Sequence, residues 1–342
     1  MRQTFQIDMK TFYDQFIKGA TGNPQDAKDF FDLFSFNRDL SEGNIINARI
    51  QILELLHKMQ RLSDEHYQKI HKGALFYYLA IISFVIDNYS EASFYFDAAA
   101  SEDMKNDPSL VTPSYLFMTL NSESHDQAAF KLTEWTSKNL SHYIYRYSKV
   151  IGNIPIDLRQ FRTAFLSPSI STHKEWRTLV TSFITFLLEG DHIKSLHELR
   201  IEKGSNSLLL HHLVDGCLLL ESLLKAAIRF RGLQISENTL GSILRTQTIK
   251  DLLGISKPLA TSKLTIQDIK ADLQKGIPSC EESLLVIARL RNVVEHDLID
   301  SSEFSQEFTT GEFLLLHDAI IISCIHIVTV FFHKNECDKH EE

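Results

Sequence analysis

At 342 residues, 44% hydrophobic and 23% charged, the chain is long enough for two domains and too apolar for an unfolded polymer. Its 13 glycines and 7 prolines allow few turns, which excludes an architecture of many short strands. The net charge of −9 collects near the C-terminus, where 2 Lys face 8 Asp and Glu over 301–342 while 205–300 balance at 11 each, so no broad basic face gathers nucleic acid by counterion release.

Helical periodicity runs throughout and no stretch alternates as a strand does, so the expected fold class is all-α. Residues 1–12 hold no long apolar run and no small-residue cleavage site, so no signal peptide is expected. Over 44–59, Ile46, Ile50, Leu53 and Leu56 form one stripe. Ser63 and Asp64 offer a cap for a long helix to about residue 86. Asp87 and Asn88 turn the chain, and 89–103 return. Within that pair, Phe76, Leu79, Ala80, Tyr89, Ala92, Phe96 and Ala99 order large and small residues as a tetratricopeptide repeat does. One stretch of about 34 residues from Gly73 resembles that repeat, with 44–60 and 112–150 as degenerate partners. Small residues let antiparallel helices approach and large ones fill the grooves beside them. A generic helical hairpin shares most of this pattern.

Thr112-Pro113 opens the next helix, with proline at an early position. Further helices are expected near 125–138, 141–150, 156–165 and 172–189, broken at Gly152, Asn153, Pro155 and 167–172. Gly190-Asp191 and 203–206 punctuate the next junctions, placing the domain boundary within 168–204. The expected organisation is an N-terminal domain of tetratricopeptide-like helical hairpins, 1–190, a C-terminal helical domain, 204–334, and an acidic tail, 335–342. The C-terminal domain reads as helices 206–231, 237–253, 265–275, 279–299 and 311–334, with Gly232, Gly254 and Gly276 where helices stop. Residues 313–332 are nearly long enough to cross a membrane. Asp318 lies inside them with His317 and His326, and a carboxylate at membrane depth is costly. Burial in a bundle or dimer interface is the expectation, with no membrane partner.

Cys217, Cys280, Cys324 and Cys337 show no paired spacing, the usage of a reducing compartment and a cytoplasmic protein. His333, Cys337 and His340 have ligand types at short spacing but lack a fourth ligand. His211 and His212 read as packing or surface residues. No Gly-rich phosphate loop, HExxH or GxSxG motif occurs, so neither a metal nor a cofactor is expected.

The segment 284–299 carries Arg291, Asn292, Glu295 and His296. An Arg followed within four to six residues by His, with a polar residue directly after the Arg, is the signature of HEPN domains. The chain resembles that family over 206–334, where the motif follows an apolar helical run and precedes one last long apolar helix. An earlier helix carries an apolar-Glu-apolar-Lys pattern at Glu221 and Lys225, similar to one found early in these domains. Arg-x4-His alone is expected about 0.6 times by chance in this composition, and Arg61–His66 also fits it. Requiring Asn next lowers the expectation to about 0.02, so Asn292 and the placement carry the signal.

These residue types suit metal-independent RNA cleavage, in which the neighbouring 2′-hydroxyl attacks the phosphate. Histidine exchanges a proton near neutral pH. Arginine offers a fixed charge and a planar fork for phosphate oxygens. Asn292 and His296, four apart, share a helix face, whereas Arg291 lies about 140° from His296. In the family two motif copies meet across a dimer interface, which implies a homodimer through the C-terminal domain. The resemblance implies an endoribonuclease acting in phage defence, toxin–antitoxin or stress response, with Arg291, Asn292 and His296 catalytic. Arg289 and Lys225 would contact RNA and Glu221 and Glu295 would give structural support, while the N-terminal helices would bind a protein or trigger ligand. Blander readings stand beside these: Arg291–Glu295 and Glu221–Lys225 as helix-supporting ion pairs, Arg289 as a solvated charge, Asp297 and Asp300 as helix-end residues. The alternative function is a non-catalytic helical adaptor for a protein partner, using a degenerate HEPN domain to dimerise.

Overall fold

The structure is a computed structural model that describes residues 36–62, 67–68, 71–105, 109, 111–124, 126–152, 155–171, 173–198, 207–259, 266–296 and 309–333. The proposed cap at Ser63 and Asp64, the decoy His66, Asp297, Asp300, Cys337, His340 and the acidic tail lie outside them. Every regular element among the described residues is helical, and the protein is all-α. Contacts divide the chain into two compact units, 1–136 and 137–342.

The first unit holds α1 (Phe36–Ser41), α2 (Ile45–Leu62), α3 (Gly73–Val85), α4 (Tyr89–Met104), α5 (Pro113–Met118) and the start of α6 (Gln127–Arg146). Helices α3 and α4 form an antiparallel hairpin. Asp87 takes the left-handed conformation, φ 61°, and Asn88 caps α4 by accepting the Glu91 amide at 3.2 Å. Ala80, Ala92 and Ala99 are fully buried, so the two helices approach closely. Aromatic rings fill the flanks: Phe76 stacks on Tyr95, Tyr77 meets Phe96 edge-on, and Phe84 packs against Tyr89, Phe117 and Trp135. The buried Lys72 sits 3.3 Å from Glu102. The Tyr77 hydroxyl donates to Asp126 at 2.7 Å, and the same carboxylate oxygen accepts the Ala129 amide at the head of α6.

The sequence reads 125–138 and 141–150 as separate helices, but α6 runs unbroken through them and ends in a π-helical turn, Tyr147–Ile151. Asn139 and Ser141 are poor helix formers, yet Leu140 between them is fully buried, and tertiary burial overrides propensity.

The second unit continues with α7 (Leu158–Phe161), a π turn (Arg162–Leu166), α8 (Ser167–Ser171), a 3-10 turn (Lys174–Trp176) and α9 (Arg177–Glu198). Next come α10 (Ser207–Phe230), α11 (Leu240–Ile243), α12 (Gln247–Leu253), α13 (Ile266–Lys275), α14 (Cys280–His296) and α15 (Thr310–Ile327), which extends as a π turn, Val328–His333. The division at 136 precedes the 168–204 boundary read from the sequence because the intervening segments build the core of this unit. Phe165 and Trp176 both pack on Phe332 with centroids 5.4 Å apart. The expected helix 237–253 is two short ones. A capping box at Thr239 starts α11, and α12 ends at Gly254 in the left-handed conformation, φ 68°.

Helix α15 is the axis of the second unit, packed against α9, α10 and α14. Residues 310–333 are long and apolar enough to cross a membrane, yet 83% of the most apolar window is buried inside the protein. Asp318 accepts hydrogen bonds from the Tyr143 hydroxyl at 2.9 Å and Arg146 at 2.6 Å. His326 Nε2 is 3.0 Å from the Leu253 carbonyl, which can only accept, so Nδ1 receives the Tyr147 hydroxyl proton, also at 3.0 Å. Asp318 and His326 on the most apolar helix are thus partnered, whereas the buried Ser323 hydroxyl makes no hydrogen bond among the described residues.

Candidate functional site

Two of the sequence-selected residues, Lys225 and Arg291, converge on a third, Glu221. Helix α10 places Glu221 and Lys225 one turn apart, and the Lys225 ammonium donates to Oε1 at 2.6 Å. Helix α14 brings the Arg291 Nε to 3.3 Å from Oε2. The Leu240 amide at the head of α11 donates to that oxygen at 3.2 Å. Glu221 is only 8% exposed, and the Arg291 side chain 13%. Burial pushes the Glu221 carboxyl upward, but the bonds from Lys225 and Leu240 and the charges of Lys225 and Arg291 outweigh it and hold the group below its ordinary value. The carboxylate is therefore ionised at neutral pH and forms an ion pair with the guanidinium, without a hydrogen bond from Nε among the described residues.

Asn292 is half-buried, with its amide over Gly241: a Cβ there would lie 3.5 Å from Nδ2 and 3.6 Å from Oδ1. That is ordinary van der Waals distance, so the start of α11 lies against the motif helix. Glu295 and His296 close α14, and their side chains lie outside the described residues. Arg289 does not join the Glu221 cluster. It forms an ion pair with Asp272 of α13 beside a cavity of about 230 Å3 that Lys257 and Lys275 also line. Among the described residues no group of three or more His, Cys, Asp or Glu is arranged to hold a metal ion.

Two features escaped the sequence reading. Glu221 and Arg291 stand 70 positions apart, and the Leu240 amide is a main-chain group with no residue signature; the Thr239 cap is its only trace. His211 is exposed as a surface residue would be, but His212 is buried. Its Nε2 lies 3.0 Å from His317 Nδ1, and Phe186 stacks on both rings. Glu189 stands 3.7 Å from His212 Nδ1, too far for a hydrogen bond. Burial lowers both imidazoles to about 3, helped at His317 by its neighbour, so both are neutral. A cluster of this kind has no short sequence motif, since its members come from three helices.

No protein-family model, curated protein or solved structure matches the chain.

Proposed function

We propose that the chain is a metal-independent endoribonuclease of the HEPN type, cytoplasmic and homodimeric through its C-terminal helices, serving phage defence, toxin–antitoxin control or a stress response. The observation that supports this reading is the anchoring of Arg291. A buried carboxylate, itself held by Lys225 and a main-chain amide, fixes the guanidinium one position before a half-buried Asn292. Preorganised donors of this kind stabilise charge that builds on a phosphate.

In the proposed reaction the 2′-oxygen bonds to phosphorus and the bond to the 5′-oxygen breaks. One copy of His296 takes the hydroxyl proton, and the other gives a proton to the leaving oxygen. The products are a 2′,3′-cyclic phosphate and a 5′-hydroxyl. Arg291 and Asn292 bind the non-bridging oxygens, and the N-terminal hairpins bind a protein or small trigger. The purified protein then cuts RNA in EDTA, and His296→Ala or Arg291→Ala removes cutting while the helical circular dichroism stays intact. Equal cutting by the wild type and both variants overturns the proposal.

A second reading, a helical adaptor without catalysis, is favoured by the depth of the Arg291–Glu221 pair, which serves packing as well as it serves a reaction. It predicts no cleavage of any RNA by the folded wild type.

A further inference from the structure

Two cavities flank the motif helix and its support, and the charges around them differ in kind. At the cavity beside Arg289 the charges are already matched: Lys257 with Glu282, and Arg289 and Lys275 with Asp272. A second groove of about 330 Å3 lies between the end of α10, the loop 232–238 and α11, within the range of ligand pockets. Its apolar side is made by the half-buried Leu233 and Ile235, with the buried Ile228 and Ile243 beneath them. Lys225 and Arg229, one helical turn apart, stand on one wall. Arg229, Gln234, Glu237 and Asn238 are exposed, and their side chains make no hydrogen bond or ion pair among the described residues. Lys225 uses one of its three protons on Glu221 and remains 35% exposed.

The groove is built before any ligand arrives. At one end of the loop Arg231 donates to the carbonyls of Phe331 and Val330 at 2.9 and 2.8 Å. At the other end the Leu240 amide is held by Glu221, and Thr239 and Ser242 cap each other. A wall pinned at both ends loses little freedom on binding.

We infer that this groove binds one nucleotide of a single-stranded RNA, with its phosphate on Lys225 and Arg229, its base on Leu233 and Ile235, and the base edge against Gln234, Glu237 and Asn238. The cations match a phosphodiester, the apolar side matches a ring face, and the amides and carboxylate supply both donors and acceptors for a base edge. The choice of RNA rests on the ribonuclease reading. Glu221 joins the two places, holding Lys225 at the groove and Arg291 at the motif.

The test is fluorescence anisotropy of a labelled single-stranded oligoribonucleotide with the full chain carrying His296→Ala, with a nucleoside monophosphate and inorganic phosphate as competitors. Cleavage by the wild type and groove variants is scored separately. The expected result is that Arg229→Glu weakens binding about tenfold or more, Arg229→Lys restores most of it, and Asn238→Ala costs several-fold. The monophosphate competes better than phosphate. Both substituted positions are exposed, and circular dichroism verifies folding. If RNA is cut but Arg229→Glu and Asn238→Ala bind like the parent, the groove assignment fails and the nuclease reading survives. If the groove variants lose binding and the wild type cuts nothing, the groove stands and the nuclease reading fails. If the folded chain binds neither oligonucleotide nor monophosphate, the groove assignment is overturned.

Discussion

Two of the places where the second unit buries polar groups handle them in opposite ways. Around Glu221 the groups stay charged, and each charge faces its opposite: a carboxylate between an ammonium and a guanidinium, with a main-chain amide completing its bonds. Around His212 and His317 the groups give up their charge, stack with Phe186 and bond to each other. Ionised groups are buried here against opposite charge, whereas the neutral imidazoles pack like small aromatics, each with one donor and one acceptor nitrogen, and their mutual bond uses one nitrogen of each. The first centre is built for a fixed electrostatic field, the second for cohesion.

The sharpest way to break the contrast is Glu221→Ala. It removes the buried carboxylate that faces Arg291 and Lys225, and urea unfolding should show a loss of about 3–5 kcal/mol. If the loss is under about 1 kcal/mol, Glu221 is not the hub described. The next test is pH. The two imidazoles titrate near 3 in the fold and near 6.5 in the unfolded chain. Their folded values are depressed, so below about 6.5 the unfolded chain takes up protons that the fold refuses. Stability is full above 6.5 and falls by a few kcal/mol as pH drops toward 3. His212→Phe keeps the stack and should flatten part of that slope in urea titrations at pH 7 and 4.5. An unchanged slope would show that another group sets it.

A smaller effect is expected at Gly190, where an added Cβ would collide with the His317 ring. Gly190→Ala should cost about 1–3 kcal/mol through forced repacking, read as a lower Tm. The smallest is Lys225→Met, which removes a partly exposed ion pair and should change stability by less than about 1 kcal/mol while weakening RNA binding. A large stability loss there would mean that Lys225 is structural rather than a groove residue.

Most helices were legible in the sequence because their signals are local. Thr112-Pro113, Asp87-Asn88, Gly232, Gly254 and Gly276 mark real ends. The break expected near 139–141 does not occur, because the burial of Leu140 is decided by distant residues. The 237–253 segment splits because two threonines, 239 and 246, each begin a helix. Of the candidate site, the Glu221–Lys225 spacing was readable, being one helical turn. Its closure by Arg291 and the Leu240 amide was not, since both come from elements folded back from far along the chain. The same holds for His212 and His317, 105 positions apart.

Helix α15 is oily on every side, and a rod of that kind has many seatings of nearly equal energy: slid by a turn or rolled by a quarter, it still buries its isoleucines. Asp318, His317 and His326 remove that freedom. Each finds its mate in only one seating, so a slip of about 5.4 Å leaves a bare carboxylate and two orphaned rings in a dry interior. These three side chains work as notches on a key, and their worth lies less in holding the helix down than in making every other way of inserting it too unfavourable to occupy.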